Sequence, residues 1–179
     1  HSSAYFNLTT GFRSSVFQPL YRFAYFIPIA LCGFHPLDIF LMYSATQIYG
    51  ILVHTQMVNK MGFLEHILVT PSHHRVHHAK NPLYIDTNYC NLLNFWDRIF
   101  GTYQEEDPTL EIQYGVTRPI KSGNFIDVYF GEIINLGKDV LKAPGVINKF
   151  KYIFYPPGWN HDGNHKTAKL IRADYLAKN

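Results

Sequence analysis

Thr70-Pro71-Ser72-His73-His74-Arg75-Val76-His77-His78 is the stretch on which the reading of this chain turns. Threonine caps helix N-termini, and proline is pre-organised for the first helical position, so the sequence predicts a helix starting at Thr70. Asn81-Pro82 closes it, because a residue before proline is pushed out of helical backbone. On such a helix His74, His77 and His78 stand at i, i+3 and i+4, and their rings emerge on one face of one turn. Neutral imidazole is the commonest metal ligand among the side chains. Without a metal, several packed imidazoles would repel one another when charged and strand ring nitrogens when buried. His77 and His78 diverge by about 100° on a helix, so one ion does not easily take both together with His74. Two neighbouring ions can, which points to a dinuclear site. The plain alternative is a solvated or pH-sensing histidine patch.

Upstream of this turn the chain is apolar. From Ser14 to Phe34 the only formal charge is Arg22, and Ile39 to Asn59 carries none. A membrane span needs roughly 20 apolar residues, and these segments are near that length, although Pro19, Pro28, Gln47 and Gln56 interrupt them. Separated by Gly33 to Asp38, they predict a transmembrane helical hairpin over residues 16–59; a pair of buried helices in a soluble protein is the competing reading. Tyr43, Gln47 and His54 follow helical spacing and could share a polar face. Downstream, the Trp96 to Tyr103 stretch, with Trp, Tyr and Arg together, suggests a helix re-entering the interface. Residues 60–103 are therefore read as the histidine stretch with interfacial helices, and 104–179 as a cytosolic cap. From Lys138 onward eight Lys or Arg face three acids, which suits the cytosolic side of a bilayer. Nothing in the chain resembles a nucleic-acid binder. Cys32 and Cys90, the only cysteines, form neither a disulfide framework nor a thiolate metal site.

Imidazole suits zinc, copper, iron and nickel alike. A site at a lipid boundary has lipid tails or ether carbons as its natural substrates. Attack on an unactivated C–H bond needs redox chemistry that zinc does not supply, which favours iron and O2.

The histidine stretch resembles the third histidine box of the fatty acid hydroxylase and sterol desaturase superfamily of membrane di-iron oxygenases. That superfamily carries an HxxxH-type box and two HxxHH boxes, and His74, His77 and His78 match the last of them. The stretches Tyr84 to Tyr89, Trp96 to Thr102 and Tyr114 to Ile120 are similar to the branch that cleaves alkylglycerol ethers, and the likeness runs on to Pro157-Gly158-Trp159. The resemblance implies an all-α, polytopic membrane protein with a histidine-lined dinuclear iron site facing the cytosol, in the endoplasmic reticulum or, in a bacterium, the inner membrane. It implies O2-dependent hydroxylation of a membrane lipid beside an ether oxygen, an electron donor, and tetrahydrobiopterin as the reductant of that branch. It makes His54 the isolated histidine between the second and third boxes, and His1 the last histidine of the second. The metal ligands expected from it are His1, His54, His74, His77 and His78. His73, Glu65, Asp86 and Asn88 are candidate supports that orient ring nitrogens, or else turn and helix caps. His66 is read as structural, and His161 and His165 as solvated.

Residues 1–15 then read as the tail of a truncated second box, and the chain as the C-terminal part of a longer protein. Residues 1–179 alone are expected to have little or no activity. A sterol or fatty acyl hydroxylase or desaturase of the same superfamily, a membrane zinc hydrolase, and a scaffold with a vestigial histidine cluster are the alternatives.

Overall fold

The computed structural model describes residues 5–12, 18–115 and 125–178. These residues fold as helices joined by turns. Among them no strand forms, only two isolated bridges, Leu68 with Leu93 and Ala79 with Tyr114. The chain divides into two units, one of residues 1–79 and 87–115, the other of 80–86 and 116–179.

The first unit begins with α1 (Leu8–Gly11), where the Asn7 side chain accepts from the Thr9 amide. The first apolar segment becomes α2 (Gln18–Leu31), which accommodates Pro28 in its interior. Proline costs a helix one donor, yet the Pro28 carbonyl still accepts from the Cys32 amide at 3.0 Å. Gly33, at φ 98°, turns the chain out of the helix. His35 then caps α3 (Pro36–Leu52) by accepting from the Leu37 amide, with Pro36 in the first turn. Phe26 meets Tyr43 edge-on at 5.2 Å, and Arg22 lies 4.6 Å from the centroid of the same Tyr43 ring, which joins α2 to α3.

Among the described residues no helix is long and apolar enough to cross a membrane. The 17 residues of α3 rise about 25 Å at 1.5 Å each, short of the roughly 30 Å hydrocarbon layer. Both helices nonetheless display apolar side chains: Phe23, Ile27 and Leu31 on α2, and Leu37, Phe40, Leu41 and Ile48 on α3, are all exposed, and α3 has no buried residue.

A loop and a 3-10 turn (Gly62–His66) lead to α4 (Pro71–His77). The helix starts where the sequence predicts, but stops at His77, with His78 as its C-cap, three residues before Asn81. The buried centre of this unit is polar. His73, His74, Arg75, Asn88, Asn94 and Asp97 are all buried, beside Val69 and Val76. Asp97, in α5 (Phe95–Phe100), accepts from the Tyr89 and Cys90 amides at 2.9 and 3.0 Å and from the Thr102 hydroxyl at 2.6 Å. Burial raises its pKa, but these donors outweigh that and hold the carboxyl below its ordinary value. Trp96, Ile99 and Phe100 project from α5 into the surroundings.

In the second unit, α6 (Phe125–Lys142) packs with α7 (Gly145–Phe154), and α8 (Ala168–Lys178) closes the chain. Between α7 and α8, Tyr152 and Trp159 meet edge-on at 5.1 Å. His161 and His165 are exposed, as their sequence context suggests, but they also hold the turn. His161 Nδ1 lies 2.9 Å from the Tyr152 hydroxyl, and His165 Nδ1 accepts from the Asn160 amide.

Candidate metal centre

Helix α4 presents His74, and its C-cap presents His78, toward one point. The loop after α3 brings His54 to the same place. His54 Nε2 lies 3.0 Å from His74 Nε2 and 3.1 Å from His78 Nε2. The three residues are 3%, 6% and 4% exposed, respectively. Each offers a ring nitrogen within 4.8 Å of the other two.

Tautomers follow from what the far side of each ring meets. His54 Nδ1 donates to the Gly50 carbonyl at 2.6 Å, so its Nε2 carries the lone pair. One lone pair accepts well from one donor, yet the Nε2 atoms of both His74 and His78 converge on it, whereas a cation could take a lone pair from each of the three rings. His74 Nδ1, in addition, is buried and makes no hydrogen bond among the described residues. The three rings fit a metal ion on these grounds. Burial, with His54, His78 and His77 close by, pushes the His74 pKa well below its ordinary value. Burial, His77 and His54 bring His78 down to about 3. Both rings are therefore neutral, the form that binds metal.

His77 stands beside the cluster rather than in it. Its ring is 5.2 Å from that of His78 at an interplanar angle of 89°, and 5.5 Å from that of His74. Its Nδ1 donates to the Thr87 carbonyl at 3.1 Å, an arrangement that leaves the ring's lone pair on Nε2, as the Gly50 contact does for His54. His1 lies outside the described residues.

The expected supporting residues separate into different roles. His73 points away from the cluster and completes a capping box: its Nδ1 accepts from the Thr70 amide at 3.3 Å, and its Nε2 lies 3.1 Å from the Tyr103 hydroxyl. Glu65 accepts from the Met61 amide and the Thr70 hydroxyl, which makes it part of the same helix start. Asn88, with φ 51°, donates to the His73 and Gln104 carbonyls and accepts from the Gln104 amide, tying α4 to the strand-like segment before Glu105. Asp86 is exposed in a left-handed turn, and among the described residues it makes no contact with a histidine ring, so the expected ring support is not seen there. His66 is exposed on the 3-10 turn beside Phe63.

Several supports were not legible in the sequence. Arg75 has its ion pair with Glu106 at 2.6 Å, and its Nη1 also donates to the Thr55 and Val58 carbonyls at 3.3 and 2.6 Å. One guanidinium thus fastens the loop that carries His54 to the helix that carries His74. Phe6 stacks on His54 at 5.5 Å and on Tyr114 at 5.1 Å, which covers the cluster with aromatic surface. Gly11 packs closely on the cluster, since a Cβ there would stand 3.0 Å from His54 Nδ1 and 3.1 Å from the Ile51 Cα. The only hint of these roles was the charge of Arg75 inside an otherwise histidine-rich turn.

The fold is thus that of a helical protein whose HxxHH turn carries a buried histidine cluster able to hold a metal ion. The fatty acid hydroxylase family model matches residues 1–102, and the chain belongs to that family. It is 40% identical to an alkylglycerol monooxygenase of Homo sapiens over 160 residues, 89% of this chain and 35% of that protein. The Xenopus tropicalis alkylglycerol monooxygenase is 39% identical over the same shares. The ornithine lipid hydroxylase OlsE of Rhizobium tropici is 35% identical over 98 residues, 54% of this chain and 29% of that protein. The chain spans about a third of the length of the alkylglycerol monooxygenases it matches. No solved structure matches it.

Proposed function

We propose that this chain supplies the third-box half of the metal centre in an O2-dependent, di-iron membrane lipid hydroxylase that cleaves alkylglycerol ethers. The observation that carries the reading is the convergence of the buried His54, His74 and His78 through their Nε2 atoms. Similarity to alkylglycerol monooxygenases over 89% of the chain supports the choice of ether lipid over sterol or fatty acyl substrates.

Iron, when bound, supplies the one-electron and O2 chemistry that an unactivated C–H bond demands. The protein's own part is positional. His54, His74 and His78 would hold one ion. His77, with Nδ1 committed to the Thr87 carbonyl, would serve a second together with His1. The Gly50 and Thr87 carbonyls hold the His54 and His77 protons on Nδ1, so both rings stay correctly oriented. Phe6 and Tyr114 keep bulk water from the cluster. In the overall reaction one atom of O2 enters the C–H bond beside the ether oxygen. The other atom leaves as water, with two electrons and two protons from a donor for which tetrahydrobiopterin is the proposed source. The resulting hemiacetal collapses to an aldehyde and a free glycerol hydroxyl. We read α2 and α3 as the lipid-embedded hairpin, from their exposed apolar side chains, with the histidine cluster at its cytosolic end.

The test is turnover of an alkylglycerol under ¹⁸O2 by the intact iron-loaded protein, with the aldehyde trapped at once as its alcohol. Label in that alcohol, lost with His74→Ala, is the expected result; turnover without O2 would overturn the proposal. Three histidines are also the ligand set of some catalytic zinc sites, so a zinc hydrolase is the second reading. Zinc retained at full activity in the absence of any reductant would establish it.

A further inference from the structure

His54 and His74 also line a cavity of about 330 Å3, shared with Arg22, Gln47, Gly50 and Asn91. Arg22 is the sole charge between Ser14 and Phe34, and a charge on so apolar a helix is costly and generally functional. Its Nη2 donates to Gln47 Oε1 at 3.2 Å, and its guanidinium covers the Tyr43 ring. Both partners are neutral, and among the described residues no carboxylate lines the cavity. The wall opposite charge would occupy is instead built from amides: Asn91 Nδ2 is fixed by donation to the Thr46 carbonyl at 2.9 Å. Gly50 allows that approach, because a Cβ there would stand 2.6 Å from Asn91 Oδ1. A half-buried cation without counter-charge therefore shares one cavity with two of the converging histidines. A guanidinium's best complement is an oxyanion, which it binds through paired donors. The volume lies at the low end of ligand pockets, which suits a head group with its first carbons and not a long alkyl chain.

We propose that this cavity is a head-group subsite, in which Arg22 is the specificity-determining residue that grips the phosphate of a phosphate-bearing ether lipid and sets the carbons nearest its glycerol against the histidine cluster. The lipid identity rests on the hydroxylase reading above; the oxyanion preference rests on the cavity alone.

The experiment is calorimetric titration of the intact metal-loaded protein in detergent with three probes of equal chain length: 1-O-hexylglycerol 3-phosphate, 1-O-hexylglycerol and hexyl methyl ether. The phosphate probe is expected to bind tightest, and Arg22→Met to weaken it by about tenfold or more while leaving hexyl methyl ether unchanged. Phosphate coordination at the metal is common to both proteins and cancels in that ratio. Gln47→Glu, which places a carboxylate against Arg22, is expected to reproduce the loss with metal content intact, so misfolding cannot mimic it. A phosphate preference that survives both substitutions overturns the proposal, and inorganic phosphate binding as tightly as the lipid probe overturns the head-group assignment. Binding that behaves as expected in a protein without lipid turnover would sink the hydroxylase reading and leave the subsite standing. Turnover with binding indifferent to Arg22 would do the reverse.

Discussion

Each histidine of the 70–78 turn has its own task, decided by what lies beyond its ring. His74 and His78 face His54, whereas His73, one position away, faces Thr70 and Tyr103. Substitution separates these tasks. His74→Ala or His78→Ala is expected to lower iron affinity by at least tenfold, read as metal content after dialysis. His73→Ala should retain metal stoichiometry and instead lower thermal stability by about 1 kcal/mol, the usual worth of a cap. Titration gives a second residue-scale test. The folded-state pKa of His74 and of His78 lies below the unfolded value, so the unfolded chain binds more protons and stability falls as pH falls. For His78 the window runs from about 6.5, the unfolded value, down to about 3. Chemical denaturation of metal-stripped protein should therefore lose up to about 1.4 kcal/mol per pH unit for each such ring in that window. His78→Gln should flatten the slope, and an unchanged slope would contradict the burial described here.

Elements meet at the cluster through a single buried guanidinium. Arg75 sits in α4 but holds the loop after α3 by two carbonyls, and Glu106 neutralises it. Removing one partner of a buried pair strands the other, at a cost of about 3 kcal/mol or more. Glu106→Gln is thus expected to destabilise the protein and loosen iron together, although Glu106 is no ligand. Loss of stability with metal affinity untouched would show that the loop holds His54 without Arg75. Asp97 makes a contrasting prediction. Its carboxylate closes the 89–102 turn on three donors and lies away from the cluster, so Asp97→Ala should lower stability and leave iron affinity within a few-fold. The start of α4 was legible from Thr70-Pro71, because caps are local chemistry. Its end was not: Asn81-Pro82 marks a limit beyond which a helix cannot run, while the chain actually turns at His78 to bring that ring toward His54.

At the scale of the molecule, the described residues leave the apolar side chains of α2 and α3 uncovered, as the proposed lipid-embedded hairpin would have them. Alkaline carbonate extraction is expected to leave the protein in the membrane pellet, and release into the supernatant would contradict an embedded hairpin. The segment lengths looked sufficient for spanning because the runs without charge, such as Ile39 to Asn59, extend past the helix into the loop carrying His54. Hydropathy counts residues, whereas spanning depends on how many of them are helical.

The amino-acid order alone pointed to helices, marked the apolar pair, and singled out His74, His77 and His78 as candidate metal ligands, since each reading rests on spacing along a few turns of chain or on family resemblance. It also marked His54 through family resemblance. Only tertiary structure decided that His54 joins His74 and His78 while His77 stands aside. The same holds for Arg75 and Glu106 locking the loop, and for Arg22 sharing a cavity with the cluster. These partners lie about 20 to 52 residues apart, between Arg75 and His54 and between Arg22 and His74, and no local periodicity carries information over such distances. Long-range packing of buried polar groups supplies it, because each must find a partner somewhere in the fold.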